Sequence, residues 1–290
     1  MEIIRLSTSE FREFKEYKLE KQIENTESII YIYNDKELLK VFKNIDSENM
    51  INKSFILSRL FYLKDQVETK NLVLPNSLVR LSNNPIGYTM NHISDNINLG
   101  LILNDNTKSI DEVLFLLKQV ANILKMTEVS TVFANIGFHL GDIHEGNFIY
   151  DKKDRCVKAV DLDSAYIPSM QAPNSKYLTF NDKLWDFPSK YPLDQNNKHI
   201  PNHNTTIISF IYMILNYITG KYAPDMSISS FCECLNMLAS AGFEKGLLDQ
   251  IFAIYCPKDN YFDYEYLNSI TSDKILKYRQ INESKYSKFK

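Results

Sequence analysis

Residues 138–150 read FHLGDIHEGNFIY, and this stretch constrains the fold more than any other. Two histidines, an aspartate, a glutamate, two glycines and an asparagine are framed by apolar residues on both sides. A surface loop needs no apolar frame. A packed core tolerates such charges only when they have partners. The stretch therefore reads as a functional loop held between two buried elements, and the rest of the chain must supply what it works with.

The flanking segments indicate an α+β chain. SIIYIYNDKELLKVFK carries β-branched and aromatic residues on both sides of Asn34-Asp35, which predicts a hairpin. SENMINKSFILSRLFYL, opening at Ser47, has helical apolar spacing. NLVLPNSLVRL and PIGYTMNHI read as further strands. Residues 109–131 are helix-periodic, CVKAVDLDSAYI is a short apolar run carrying two aspartates, and helical patterns resume at Thr205 and continue to about Lys277. Between Ser164 and Asn204 lies an irregular stretch rich in Pro, Asn, Lys and Tyr. The end, ESKYSKFK, reads as loose and basic.

Composition narrows the partners. A formal charge of -3 over 290 residues gives none of the basic excess that nucleic-acid binding usually shows. The start has no basic segment followed by an apolar one, and the longest apolar run, IISFIYMILNYI, is too short to span a bilayer. The four cysteines, Cys156, Cys232, Cys234 and Cys256, form no metal-knuckle spacing and read as reduced thiols. His199 and His203 fall in irregular sequence, where a metal pair is not expected. The expectation is a cytoplasmic protein with no membrane or nucleic-acid partner.

GDIHEGNF resembles the catalytic loop of the protein-kinase superfamily, in which an aspartate precedes an asparagine by five positions: here Asp142 and Asn147. VDLDSA is similar to the metal-binding segment that follows, with Asp161 at its aspartate. LLKVFK resembles the strand bearing the nucleotide lysine and puts Lys43 in that role. GYTMNHI resembles the strand entering the hinge, with Met90 at the gatekeeper position and Asn91 to Ile93 in the hinge. TIISFIYMILNYITG resembles the core helix of the large lobe, ending at Gly220. The resemblance covers roughly residues 20–255.

It implies a bilobal protein-kinase-like fold of the bacterial or phage type. A small antiparallel sheet with one helix would occupy residues 1–93, and a mainly helical lobe 94–290. It implies ATP and Mg2+ as cofactors, and a protein or small-molecule acceptor. Asp142, Lys43 and Asn147 would be catalytic. Lys43, Met90, Asn91, Ile93 and Asp161 would contact nucleotide, and Asn147, Asp161 and Asp163 would be the metal set. Two hard oxygen ligands near each other suit magnesium on phosphates. An aspartate can orient a hydroxyl and take its proton.

His144 and Asp163 also resemble the Asp-x-His-x-x-Asn and Asp-x-Asp patterns of aminoglycoside and choline kinases. His144 reads first as a brace to the loop backbone, and Asp163 reads equally as a turn or capping residue and as a metal ligand. Four features depart from the protein-kinase pattern. IENTESIIY lacks the glycines of a phosphate-covering loop. Lys53 stands where a helix glutamate would pair with the lysine. Leu140 replaces the loop histidine, with His139 one place early. Thr206 replaces the aspartate that braces the loop. The metal and base positions survive while their supports drift, which leaves two readings, an active divergent phosphotransferase and a pseudokinase scaffold. For want of a helix carboxylate, Lys43 is expected to pair with Asp161, with Glu48 turned away.

Overall fold

The computed structural model describes residues 2–17, 27–43, 47–67, 70–168, 176–177, 198, 200–253 and 263–287, with side chains undescribed at 47–49 and 286–287. The fold is α+β. Six strands form one mixed sheet: β1 (Glu2–Leu6), β2 (Lys15–Glu16), β3 (Ser28–Ile32), β4 (Glu37–Phe42), β5 (Pro75–Leu81) and β6 (Asn84–Asn91), in the order β1-β5-β6-β4-β3-β2. The predicted sheet was antiparallel. All pairs are antiparallel except β1 with β5, which run parallel. β1 and β2 flank α1 (Thr8–Glu13), which opens on a capping box between Ser7 and Glu10.

The hairpin at Asn34-Asp35 forms as expected. Asn34 and Glu37 exchange backbone hydrogen bonds of 3.1 and 3.4 Å, and the Asn34 side chain accepts the Lys36 N–H at 2.8 Å. Such an Asx turn is why asparagine favours this place. The helix predicted from Ser47 is α2 (Ser47–Gln66), lying against β5 and against a 3-10 turn at Leu162–Ser164.

A second sheet, β7 (Asn96–Asn98), β8 (Phe148–Asp151) and β9 (Cys156–Ala159), frames the opening loop. The helices around it are α3 (Leu99–Leu103), α4 (Ile110–Val129), α5 (Thr131–Ile136), α6 (His203–Thr219), α7 (Ile228–Ser240), α8 (Lys245–Ala253) and α9 (Ser272–Ser287). α4 starts at the Ser109 cap, whose hydroxyl accepts the Glu112 N–H at 3.1 Å. α6 is the apolar helix foreseen from Ile207. Asn202 caps its start and Gly220, at φ 64°, ends it. The tail expected to be loose continues as α9 to Ser287, anchored by buried Ile275 and Tyr278.

A single large core runs from Leu38 on β4 to Tyr278 on α9, and a small second cluster, with Leu6, Leu39 and Val79 buried, fills the other face of the large sheet. No helix among the described residues is long and apolar enough to cross a membrane. Cys156, Cys232 and Cys234 are free thiols. Cys256, His199, most of the irregular stretch 164–204, and residues 23–26 of the glycine-free stretch lie outside the described residues.

Candidate functional site

Strand alternation on β4 decides which lysine enters the site. Leu38 and Phe42 face the large core, whereas Leu39 and Val41 face the small cluster. Lys40 shares the parity of Leu38 and is only 4% exposed. Its ammonium donates to Asp161 Oδ1 and, at 2.6 Å, to Asp163 Oδ1. Lys43, expected in this role, lies one residue past the end of β4, where its N–H donates to the Glu27 carbonyl at 2.8 Å. Three positions from Lys40, it also has the opposite strand parity. The structure thus brings Lys40, not Lys43, to Asp161. The signal was present in the sequence: a lysine between Leu38 and Phe42 on an apolar face must find a partner.

Asp163 receives more than Lys40. The Tyr88 hydroxyl donates to its Oδ1 at 2.7 Å, and the Lys53 ammonium donates to its Oδ2 at 2.7 Å and to its backbone carbonyl at 3.1 Å. Tyr88 stands opposite Lys40 in the β4–β6 register. Lys53 comes from α2 and also lies 3.8 Å from Glu27. Burial would strip the proton from Lys40. Asp161 and Asp163 overturn that and hold its pKa well above the usual lysine value. Burial would likewise raise the Asp163 pKa, but Lys40 and Lys53 hold it well below the usual carboxylate value. Asp161 is raised by burial and by its neighbour Asp163, with Lys40 opposing. The Tyr88 phenol is pushed well up by burial and by Asp163.

Asp161 has left-handed backbone, φ 61° and ψ 36°, which is uncommon for a residue with a side chain. It is set at the entrance to the 3-10 turn. Asp142, Asn147 and Asp161 line one small cavity, together with Ile143, Phe148 and Leu162. Asn147 donates its side-chain N–H to the Asp142 carbonyl at 2.8 Å, which fixes the end of the amide that is the oxygen. The Asn147 carbonyl accepts the Val160 N–H at 2.9 Å, tying the loop to the Asp161 segment.

His144 braces the loop. Its Nδ1 accepts the Gly146 N–H at 3.0 Å, while its Nε2 stands 3.4 Å from Asp142 Oδ2. Asn98, which caps α3, donates to the Gly146 carbonyl at 2.8 Å from the other side. The Lys176 N–H donates to Asp142 Oδ1 at 2.8 Å. Glu145 accepts from the Lys176 ammonium and the Tyr177 hydroxyl. Burial works against its charge, but those two donors hold its pKa below the usual value.

Among the nucleotide-contact candidates, Met90 is buried on β6 opposite Leu38. Asn91 Oδ1 accepts from Asn76 at 2.8 Å, the His92 N–H donates to the Lys36 carbonyl at 2.7 Å, and the Ile93 carbonyl accepts from the Asn96 side chain. They sit on the strand that carries Tyr88, or just beyond it. Thr206 is buried near the start of α6, and His139 pairs through its backbone with Tyr166. Lys53, Tyr88 and Asn98 were not assigned these roles by sequence reasoning, because each acts through a partner far away along the chain.

No protein-family model matches this sequence, and no curated protein matches it.

Proposed function

We propose that the chain is an ATP-dependent phosphotransferase of the protein-kinase-like superfamily, a bilobal enzyme that passes the γ-phosphate of ATP to a Ser/Thr hydroxyl of a protein. The observation that carries this reading is one gathering. Asp142, Asn147 and Asp161 line a common cavity, and Lys40 from β4 is bonded to Asp161. The strand order β5-β6-β4-β3-β2, with α2 between β4 and β5, supports it.

Phosphoryl transfer asks the protein mainly for in-line placement and charge neutralisation. Asn147 and Asp161 both line the cavity and both carry a hard oxygen, a donor set that fits magnesium, which takes one or two protein ligands beside phosphates. Bound there, the ion neutralises phosphate charge. Lys40 adds a point charge toward the α- and β-phosphates. Asp142 accepts a hydrogen bond from the acceptor hydroxyl. As the new O–P bond forms and the bond to the ADP oxygen breaks, Asp142 takes the hydroxyl proton. In this reading Met90 and residues 91–93, on β6 and just beyond it, would contact the base. Asp163 has a different place in this reading from the metal role considered above, because both of its oxygens are already held by cations or a phenol.

A small hydroxyl compound as acceptor is the second reading. A half-open polar cleft of about 530 Å³ lies beside the loop, lined among others by Glu145, Tyr177, Asn216 and Asn282. That volume is in the range of small-molecule sites. Labelled ATP with magnesium tests both. Label on the protein or on added casein supports the first reading. Label only on added hydroxyl metabolites supports the second. No transfer to any acceptor, with Mg-ATP still raising the melting temperature, leaves a nucleotide-binding scaffold.

A further inference from the structure

We infer that Lys53 is a positioning residue that does with a positive charge what a helix carboxylate would do with a negative one: it holds Asp163, and Asp163 holds Lys40. The inference rests on the phosphotransferase reading.

The bonds form a chain from helix to strand. Lys53 on α2 grips Asp163 twice, through Oδ2 at 2.7 Å and through the backbone carbonyl at 3.1 Å. Asp163 Oδ1 then accepts from Lys40 at 2.6 Å and from Tyr88 at 2.7 Å. The carboxylate is 1% exposed and both oxygens are engaged, so it acts as a fixed anchor. Asp161 differs: its side chain is 26% exposed and Lys40 holds its Oδ1 alone, so it can turn to a metal ion without disturbing Asp163. Lys40 then keeps its bond to Asp163. One aspartate can thus bind metal while the other keeps the lysine aimed.

Lys53 makes that division possible. Lys40 and Tyr88 engage only Oδ1 of Asp163, so without Lys53 the buried Oδ2 would lose its cation and the carboxylate would be free to swing away from Lys40. With Lys53 on the other oxygen it stays paired throughout. The ammonium of Lys53 also lies 5.6 Å above the Phe42 ring and 3.8 Å from Glu27, contacts that keep it at this end of α2. Replacing a buried ion pair as a whole by apolar residues often costs a fold little, so stability alone does not call for a Lys53–Asp163 pair. A lysine at this place is therefore read as serving the geometry of Asp163.

The experiment compares the full-length wild type with Lys53→Met, Lys53→Arg, Asp163→Asn and the Lys53→Met/Asp163→Asn double variant. Transfer from labelled Mg-ATP to casein is measured, with kcat and KM for Mg-ATP separated and melting curves for each protein. Misplacing a reacting group by about 1 Å costs up to roughly 10²-fold, so Lys53→Met should lose between about tenfold and a hundredfold in kcat. KM should move much less. Lys53→Arg should recover most of the rate. In the Asp163→Asn background Lys53→Met should add no further loss, because residues acting as one unit are not additive. Should Lys53→Met not fold, Lys53→Gln takes its place with the same expectation. Wild-type kcat in Lys53→Met, or losses that multiply in the double variant, would overturn the inference while leaving the enzyme reading intact. A wild type that transfers phosphate to nothing would overturn both.

Discussion

Gly87 on β6 faces the carbonyl of Lys40 on β4 so closely that a Cβ at Gly87 would lie 1.8 Å from that oxygen and 2.9 Å from its carbon. The obstacle is backbone, which has no rotamer to yield. β4 and β6 pair through Lys40–Tyr88 and Val41–Gly87, so the contact sits where the site lysine and its tyrosine neighbour are aligned.

Gly87→Ala is expected to part the two strands at this point. Overpacking of this kind costs about 1–3 kcal/mol, occasionally more. The urea midpoint should drop with the slope of the transition unchanged. A midpoint equal to that of the wild type would mean that the strands separate at no cost.

Lys40 and Lys43 give a direct contrast. Lys40→Met leaves Asp163 with Lys53 as its remaining cation. Removing one partner of a buried ion pair costs roughly 3–5 kcal/mol. The variant should melt well below the wild type and gain no stability from Mg-ATP. Lys43→Ala, beyond the end of β4, should keep the Mg-ATP shift. The reverse pattern would restore Lys43 to the nucleotide site.

That contrast shows what can be read along the chain and what cannot. Asp142 and Asn147 are five positions apart in one loop, so their relation is local and visible in the sequence, and the structure places them on one cavity with Asp161. The choice between Lys40 and Lys43 depends on where β4 ends and which face meets the core. Lys53 reads as a like charge useless to the site until Asp163 is seen between it and Lys40, 110 residues further along. The pairing of Lys53 with an aspartate, and of β1 with β5, are long-range facts with no local signature. The expected orientation of Glu48 falls on a side chain outside the described residues.

Asp142 and Asp161 should separate by assay. Asp142 touches the acceptor side in the proposed reaction, so Asp142→Asn should lower transfer by roughly 10²–10⁴. Its Mg-ATP stabilisation should match that of the wild type. Asp161→Ala should lose that stabilisation as well as transfer, since it removes the oxygen proposed for the metal and one partner of Lys40. Equal nucleotide shifts in wild type and Asp161→Ala would remove Asp161 from the metal set.

His139, just before the loop, gives the fold a pH dependence of predictable sign. Burial lowers its pKa below the ordinary 6.5, with Glu128 opposing and His203 adding to the effect. Glu128 is also engaged by His203 Nδ1 at 3.0 Å and by the Tyr264 hydroxyl, and burial outweighs its pull on His139. A histidine with a lowered folded pKa binds protons more readily in the unfolded chain. Its contribution to stability is therefore complete above 6.5 and is lost as pH falls from there through the lower, folded value. Urea midpoints measured downward from neutral pH should decline in that window for the wild type. His139→Gln should be less stable at neutral pH but flatter across the same window. An equally steep decline in the variant would assign the acid sensitivity to other groups.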